Sequence, residues 1–216
     1  MTALDDSLDL YLARLEQGHY ADRQELAIHL LEPEQIQALT MSFAWHPLVQ
    51  FLDGLLLDDP GSSDHHLLAR AAPFAGQVFF LAHDGDSRAV FASFDALLDA
   101  ADQAISQGCS LTELHPPLAI QVTDQAALAS LIGEALAEDQ VEVAVALIPS
   151  LDLRDTRLLQ TLLAHEDFYL GEAIARQVCA RPAADLLPLA RQCASHPHPQ
   201  VAQAGERALR LCARPR

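Results

Sequence analysis

Two stretches rich in histidine and aspartate hold most of the reactive side chains in this 216-residue chain. The first is Asp58-Asp59-Pro60-Gly61-Ser62-Ser63-Asp64-His65-His66, and the second is His83-Asp84-Gly85-Asp86-Ser87. Imidazoles and carboxylates together ligate zinc and other divalent ions. If the two loops converge at the end of a short sheet, His65, His66, His83, Asp84 and Asp86 form such a set. The same residues also have a plainer use. Asp84 and Asp86 flank the glycine of a tight turn, where Asp is favoured for backbone reasons. Adjacent residues on a strand point to opposite faces, so His65 and His66 are poorly placed to share one ion. No metal and no other cofactor is expected.

Covalent catalysis has less support still. The sequence has no G-x-S-x-G elbow and no Gly-rich phosphate loop. All 13 basic residues are Arg, so neither a Schiff base nor a phosphate-binding lysine can form. Ser62, Ser63, Ser87 and Ser93 fall in turns or caps, and His196 and His198 bracket Pro197 as in a surface turn. Cys109, Cys179, Cys193 and Cys212 include no CxxC pair. The last three sit among apolar helical positions, where a thiol packs as a small hydrophobe. The chain is read as a non-enzyme.

Binding is the remaining role. If the two loops share one end of a sheet, Asp58, Asp59, Asp64, Asp84 and Asp86 form a single negative edge. Otherwise they are separate solvated turns. Tyr169 follows His165-Glu166-Asp167 at a helix start, where it either anchors a partner or packs inward. Trp45, the sole Trp, precedes an apolar helix with Phe43 and is expected in the core.

The elements that must position these residues follow from periodicity. Leu8, Tyr11, Leu12 and Leu15 predict a helix over 4–17. Helices are also predicted over 22–31, over 33–41 with Pro33 in the first turn, and over 47–57. The breaker cluster at 58–63 ends this helical region. Strands are then predicted at 66–70, 77–82 and 88–92, the last two joined by the Asp-Gly hairpin. Ser93 caps a helix from about 94 to 106, with Phe94, Leu97, Leu98, Ala101 and Ile105 inward. Pro116-Pro117 marks 111–121 as a connector. Beyond it, helices are predicted behind Thr123, over 140–148, 155–165 and 168–179, behind Asp185, and from Pro199 onward. The fold class is α+β, mostly helical: a small antiparallel sheet within helices, followed by helical hairpins.

Composition agrees with this reading. Leu occurs 38 times and Ala 37 times against 9 Gly, a helix-forming mixture too apolar for disorder. The net charge is −17, which repels nucleic acid and suits a basic partner or plain solubility. Residues 1–108 carry 17 acids against 4 Arg, and residues 109–216 carry 13 against 9. This break at Gly108 suggests domains at 1–107 and 108–216. The N-terminus lacks the cationic start and apolar core of a signal peptide, and no apolar run approaches the ~18 residues of a membrane span. A cytoplasmic location, without membrane contact, is expected.

Two segments resemble known families. His196-Pro197-His198-Pro199-Gln200-Val201, followed by Ala204, Ala208 and Leu209, resembles the second helix of a HEAT repeat, and about 90 C-terminal residues are read as HEAT-like. Phe74-Ala75-Gly76-Gln77-Val78, then His83-Asp84-Gly85-Asp86, then Ser93-Phe94-Asp95-Ala96-Leu97-Leu98 resembles the central sheet and following helix of the SUKH superfamily. That superfamily was founded on a yeast cell-wall synthesis regulator, and the likeness covers about 50 residues. Bacterial SUKH-like proteins are mainly immunity proteins that neutralise a cognate toxin, and HEAT-like solenoids are binding scaffolds. The resemblance therefore implies an immunity protein of a type VI or contact-dependent secretion system. Its partner would be a secreted toxin, a nuclease with a basic cleft, whose active site it occludes. An adaptor or chaperone for a secretion system and a metal-dependent enzyme are the alternatives.

Overall fold

The computed structural model describes residues 11–18 and 20–213. It divides into two compact units, Met1–Ile120 and Gln121–Arg216. The first holds 18 acids against 4 Arg and the second 12 against 9, so the excess negative charge lies almost wholly in the first.

In the first unit, helical backbone over 11–17 (α1) buries Tyr11 completely. The Tyr11 hydroxyl donates to the carbonyls of Leu31 at 3.0 Å and Leu57 at 3.5 Å, and burial raises its pKa well above the usual phenol value. Arg14 reaches across to Asp99 at 3.0 Å and Asp102 at 2.8 Å. Leu8 lies outside the described residues.

The helix expected over 22–31 does not form. A short 3₁₀ turn at Gln24–Leu26 gives way to extended backbone, with bridges from Arg23 to Ile28 and from Leu30 to Asp58. Ile28 and Leu30 are buried while His29 between them is half-buried. That is a period of two, read in the sequence as a period of 3.6.

Helix α2 (Pro33–Ser42) starts as expected, at a capping box of Glu32 and Gln35. Helix α3 (Pro47–Phe51) stops six residues before the expected end at 57. Gly54 explains the stop: a Cβ there would lie 2.4 Å from the Leu67 side chain, so the bare backbone passes directly against the next strand. The chain then joins the sheet as β1 (Leu55–Leu56).

Strands β1, β2 (His65–Leu68), β3 (Val78–Leu81) and β4 (Arg88–Phe91) pair antiparallel in sequence order. Leu67, Leu68, Val78, Phe79, Ala89 and Val90 are fully buried, and Val78, Phe79 and Val90 are of the β-branched and aromatic types that suit a strand. Helix α4 (Phe94–Gln107) follows, with the Ser93 hydroxyl accepting from Ala96 N at 3.2 Å. Phe94, Leu97, Leu98, Ala101 and Ala104 form its buried stripe, while Ile105 is half-buried.

The connector belongs to this unit. Leu111 is buried with α4, and Ile120 N donates to Ala89 O at 3.0 Å beside β4. The unit therefore ends at Ile120, past the charge break at Gly108.

The second unit is helical throughout its described residues. Helices α5 (Gln125–Ala137), α6 (Val141–Leu147), α7 (Thr156–Leu163), α8 (Phe168–Ala180), α9 (Leu187–Ala194) and α10 (Pro199–Cys212) follow one another through short turns. The cap of α5 is Asp124, one residue after the expected Thr123. Asp185 falls inside a 3₁₀ turn, Ala184–Leu186, and does not cap α9. Asp155 and Asp167 cap α7 and α8.

Helix α10 packs on both α8 and α9. Two glycines set how closely: a Cβ at Gly205 would stand 2.2 Å from Ala194 N, and one at Gly171 would stand 3.2 Å from a Val201 methyl. Cys193 and Cys212 are buried and Cys179 is half-buried. Burial pushes the Cys193 thiol up to about 12, so it stays protonated and packs as a small apolar group. No helix among the described residues is long and apolar enough to cross a membrane.

Candidate functional site

The register of the sheet decides where the two charged turns lie. His65 pairs with Leu81, so the segment entering β2 and the turn leaving β3 occupy the same end. A hydrogen bond fastens them: the Asp64 carboxylate accepts from His83 N at 2.7 Å. The Ser87 hydroxyl closes the second turn, accepting from Ala82 N at 3.0 Å. Asp59, Asp84 and Asp86 are exposed on this paired edge, and Asp64 is half-buried beneath them. Asp86 is held by Arg88 at 2.9 Å. The two turns that carry these four carboxylates therefore share one end of the sheet.

Asp58 is not among them. It was expected on the exposed edge, but it is completely buried. Its backbone bridges to Leu30, which turns the side chain inward beneath β2. There Oδ1 accepts from His66 N at 2.5 Å, and Oδ2 contacts His66 Nδ1 at 2.5 Å. His66 Nε2 in turn meets His115 Nε2 at 2.9 Å. The result is a three-membered chain, Asp58–His66–His115, running from the first turn to the connector.

Apolar rings enclose this chain. Phe80 and Phe91 lie 5.5 and 5.9 Å from the His66 ring, and 4.7 and 5.5 Å from that of His115. Each of its two side-chain contacts needs one proton between its heavy atoms. The head-to-head nitrogens leave no room for a second proton at that contact. Burial is the main reason that the His115 pKa falls to about 3, with His66 and Arg88 beside it adding to the effect.

The sign of the resulting pH dependence is fixed. His115 is uncharged in the folded chain from neutral pH down to about 3, whereas an unfolded chain takes up the proton near the ordinary value of 6.5. The unfolded state thus binds more protons within that window, and stability falls as pH drops through it. By pH 5 the loss is on the order of 1–2 kcal/mol. Melting curves of the intact chain and of His115→Asn between pH 7 and 4 measure this, and the variant should show a shallower decline.

His65 and His66 do point to opposite faces. The His65 ring lies against Phe43 at 5.0 Å, with its Nδ1 2.9 Å from Asp58 O, away from the His66 cage. His83 is exposed on the second turn. Among the described residues, no three His, Cys, Asp or Glu side chains converge to hold a metal ion.

The aromatic residues fall differently from expectation. Trp45 was expected in the core, yet it is 70% exposed. It sits in the turn between α2 and α3, whose buried residues are Ile36 on one and Leu48 and Val49 on the other. Tyr169 is 55% exposed at the start of α8. Its ring lies 4.2 Å from Phe168, which stacks on His198 at 3.7 Å. His196 and His198 do lie in the turn between α9 and α10, beside exposed Pro197, but each is half-buried there, and His196 Nε2 meets Leu163 O at 3.0 Å.

Sequence reasoning missed His115 altogether. A single histidine before two prolines carries no spacing signal, and only the fold of the connector brings it to the sheet. Comparison with family models, curated proteins and solved structures finds no match for this chain.

Proposed function

We propose that this chain is a non-catalytic immunity protein that binds a cognate secreted toxin and occludes its active site. The toxin would be a nuclease of a type VI or contact-dependent system, met in the cytoplasm. The observation that carries the reading is the acidic end of the sheet: two turns joined by the Asp64–His83 bond lie there, and Asp59, Asp84 and Asp86 on them are exposed. They belong to the unit that bears most of the negative charge.

A nuclease needs a cationic cleft for its phosphates. An acidic edge on a rigid sheet end is attracted to such a cleft before contact, which speeds association at low salt. The SUKH-like and HEAT-like resemblances add to this reading, since both belong to binders.

The experiment is charge reversal. With Asp59, Asp84 and Asp86 all changed to Lys, association with the toxin encoded beside this gene should slow about tenfold or more at low ionic strength, and its salt dependence should flatten. An unchanged association rate would remove the edge from the interface. Asp58 is left out because its carboxylate is buried.

A further inference from the structure

A chain of rings runs from the acidic end of the sheet to an exposed indole. Met41 and Trp45, four residues apart where α2 ends and the turn begins, are each 70% exposed, an uncommon placement for two large apolar side chains. Trp45 is not loose. Phe43 stacks behind it at 6.2 Å with planes 21° apart, and the ring of the next residue, His46, lies 5.4 Å away. The His46 ring is itself fixed, accepting from Leu48 N at 3.2 Å. Phe43 then meets the His65 ring edge-on at 5.0 Å. His65 opens β2, directly after the Asp64 that joins the two turns. The indole is therefore braced, and it is linked through two rings to the acidic end of the sheet.

We propose that Trp45 is the anchor of the binding surface and that it receives a cationic side chain, an Arg or Lys on a segment of a basic protein partner. This rests on the function proposed above and specifies its contact. Charge complementarity selects the occupant. A cation over an indole face is attracted by the ring, and more strongly when carboxylates stand nearby to hold the rest of a basic segment. A second copy of the chain is disfavoured, because two bodies of net charge −17 repel one another. A purely apolar partner would leave the acidic surplus of this unit without counter-charges.

Trp45 is the only Trp, so its fluorescence reports this position alone. The probe is a nona-arginine peptide added to the full chain in 0.15 M NaCl, with binding followed by calorimetry and Trp45 exposure by acrylamide quenching. The expected result is binding with at least a twofold fall in the quenching constant, and about fivefold or weaker affinity in Trp45→Ala. Binding with unchanged quenching, or an undiminished affinity in Trp45→Ala, overturns the proposal, as does the absence of any binding. The quenching arm uses the unaltered chain, so it stands even if the variant folds poorly. Toxin protection is scored separately in cells. If Trp45→Ala protects as well as the intact chain, the anchor is wrong and the immunity reading stands. If the peptide covers Trp45 but the chain never protects, the reverse holds.

Discussion

Replacing Asp58 with Ala should destabilise the first unit by about 2–5 kcal/mol, the cost of leaving two buried groups without their partner. The carboxylate accepts from the His66 backbone and meets the His66 ring, both at 2.5 Å, in a position with no solvent exposure. Without it the His66 amide and Nδ1 lose their partner inside apolar surroundings, and the full cost of desolvating them is felt. The second contact, His66 Nε2 to His115 Nε2, would then lack its orienting group. A domain's whole stability is about 5–15 kcal/mol, so the unit would be close to unfolding. Urea titration followed by hydrogen exchange of the β2 and β3 amides measures this unit selectively, since both strands lie within it. Asp84→Ala on the exposed turn serves as the control and should change stability by under about 0.5 kcal/mol. Equal effects for the two substitutions would mean that Asp58 is not the buried pin described above.

The second large effect belongs to the helical unit. Gly205→Ala adds one methyl group where the nearest atoms are backbone: Ala194 N at 2.2 Å and the Cys193 carbonyl carbon at 2.4 Å. Backbone cannot rotate aside as a long side chain can, so α9 and α10 must separate. That separation strips contacts from Ala190, Cys193, Val201 and Ala208, all of them buried. Overpacking usually costs 1–3 kcal/mol, and against backbone the cost should be about 3 kcal/mol or more. Gly133→Ala is the counterpart. Gly133 is exposed within α5, with nothing within 4 Å of an added Cβ. Ala there should stabilise by about 0.5–1 kcal/mol through better helix propensity. Hydrogen exchange of the α9 and α10 amides separates the two cases, with protection lost in Gly205→Ala and kept in Gly133→Ala.

These two positions also show what was legible in the sequence. Strands β3 and β4, the Asp-Gly turn, the Ser93 cap and the Pro199 start all rest on local signals, and each lies where the local pattern puts it. Ala204 and Ala208 belong to the HEAT-like pattern, yet it is Gly205 between them that meets the neighbouring backbone. Which face of a helix makes the closest approach depends on the crossing of two helices, and one helix alone does not specify it.

The segment 22–31 failed for a related reason. Its buried residues fit either period over so short a stretch, and pairing of Leu30 with Asp58 settles the choice. Asp58 itself sits in a run of turn residues that reads as solvated throughout. Its burial comes from that long-range bridge and from His66, neither visible in the local pattern. Trp45 erred in the opposite direction, because an aromatic beside an apolar helix ordinarily packs inward. The convergence of the two acidic turns was legible as a condition, and the register of β2 with β3 fulfils it.

The account rests centrally on the chain being the specific inhibitor of a toxin. The most direct measurement is to delete this gene in its native cell and challenge that cell with the toxin encoded beside it, with and without the intact chain restored. The account predicts that the deleted strain dies, that the intact chain rescues it, and that the Asp59, Asp84 and Asp86 charge reversal rescues it poorly. A deleted strain that grows as well as its parent would contradict the account.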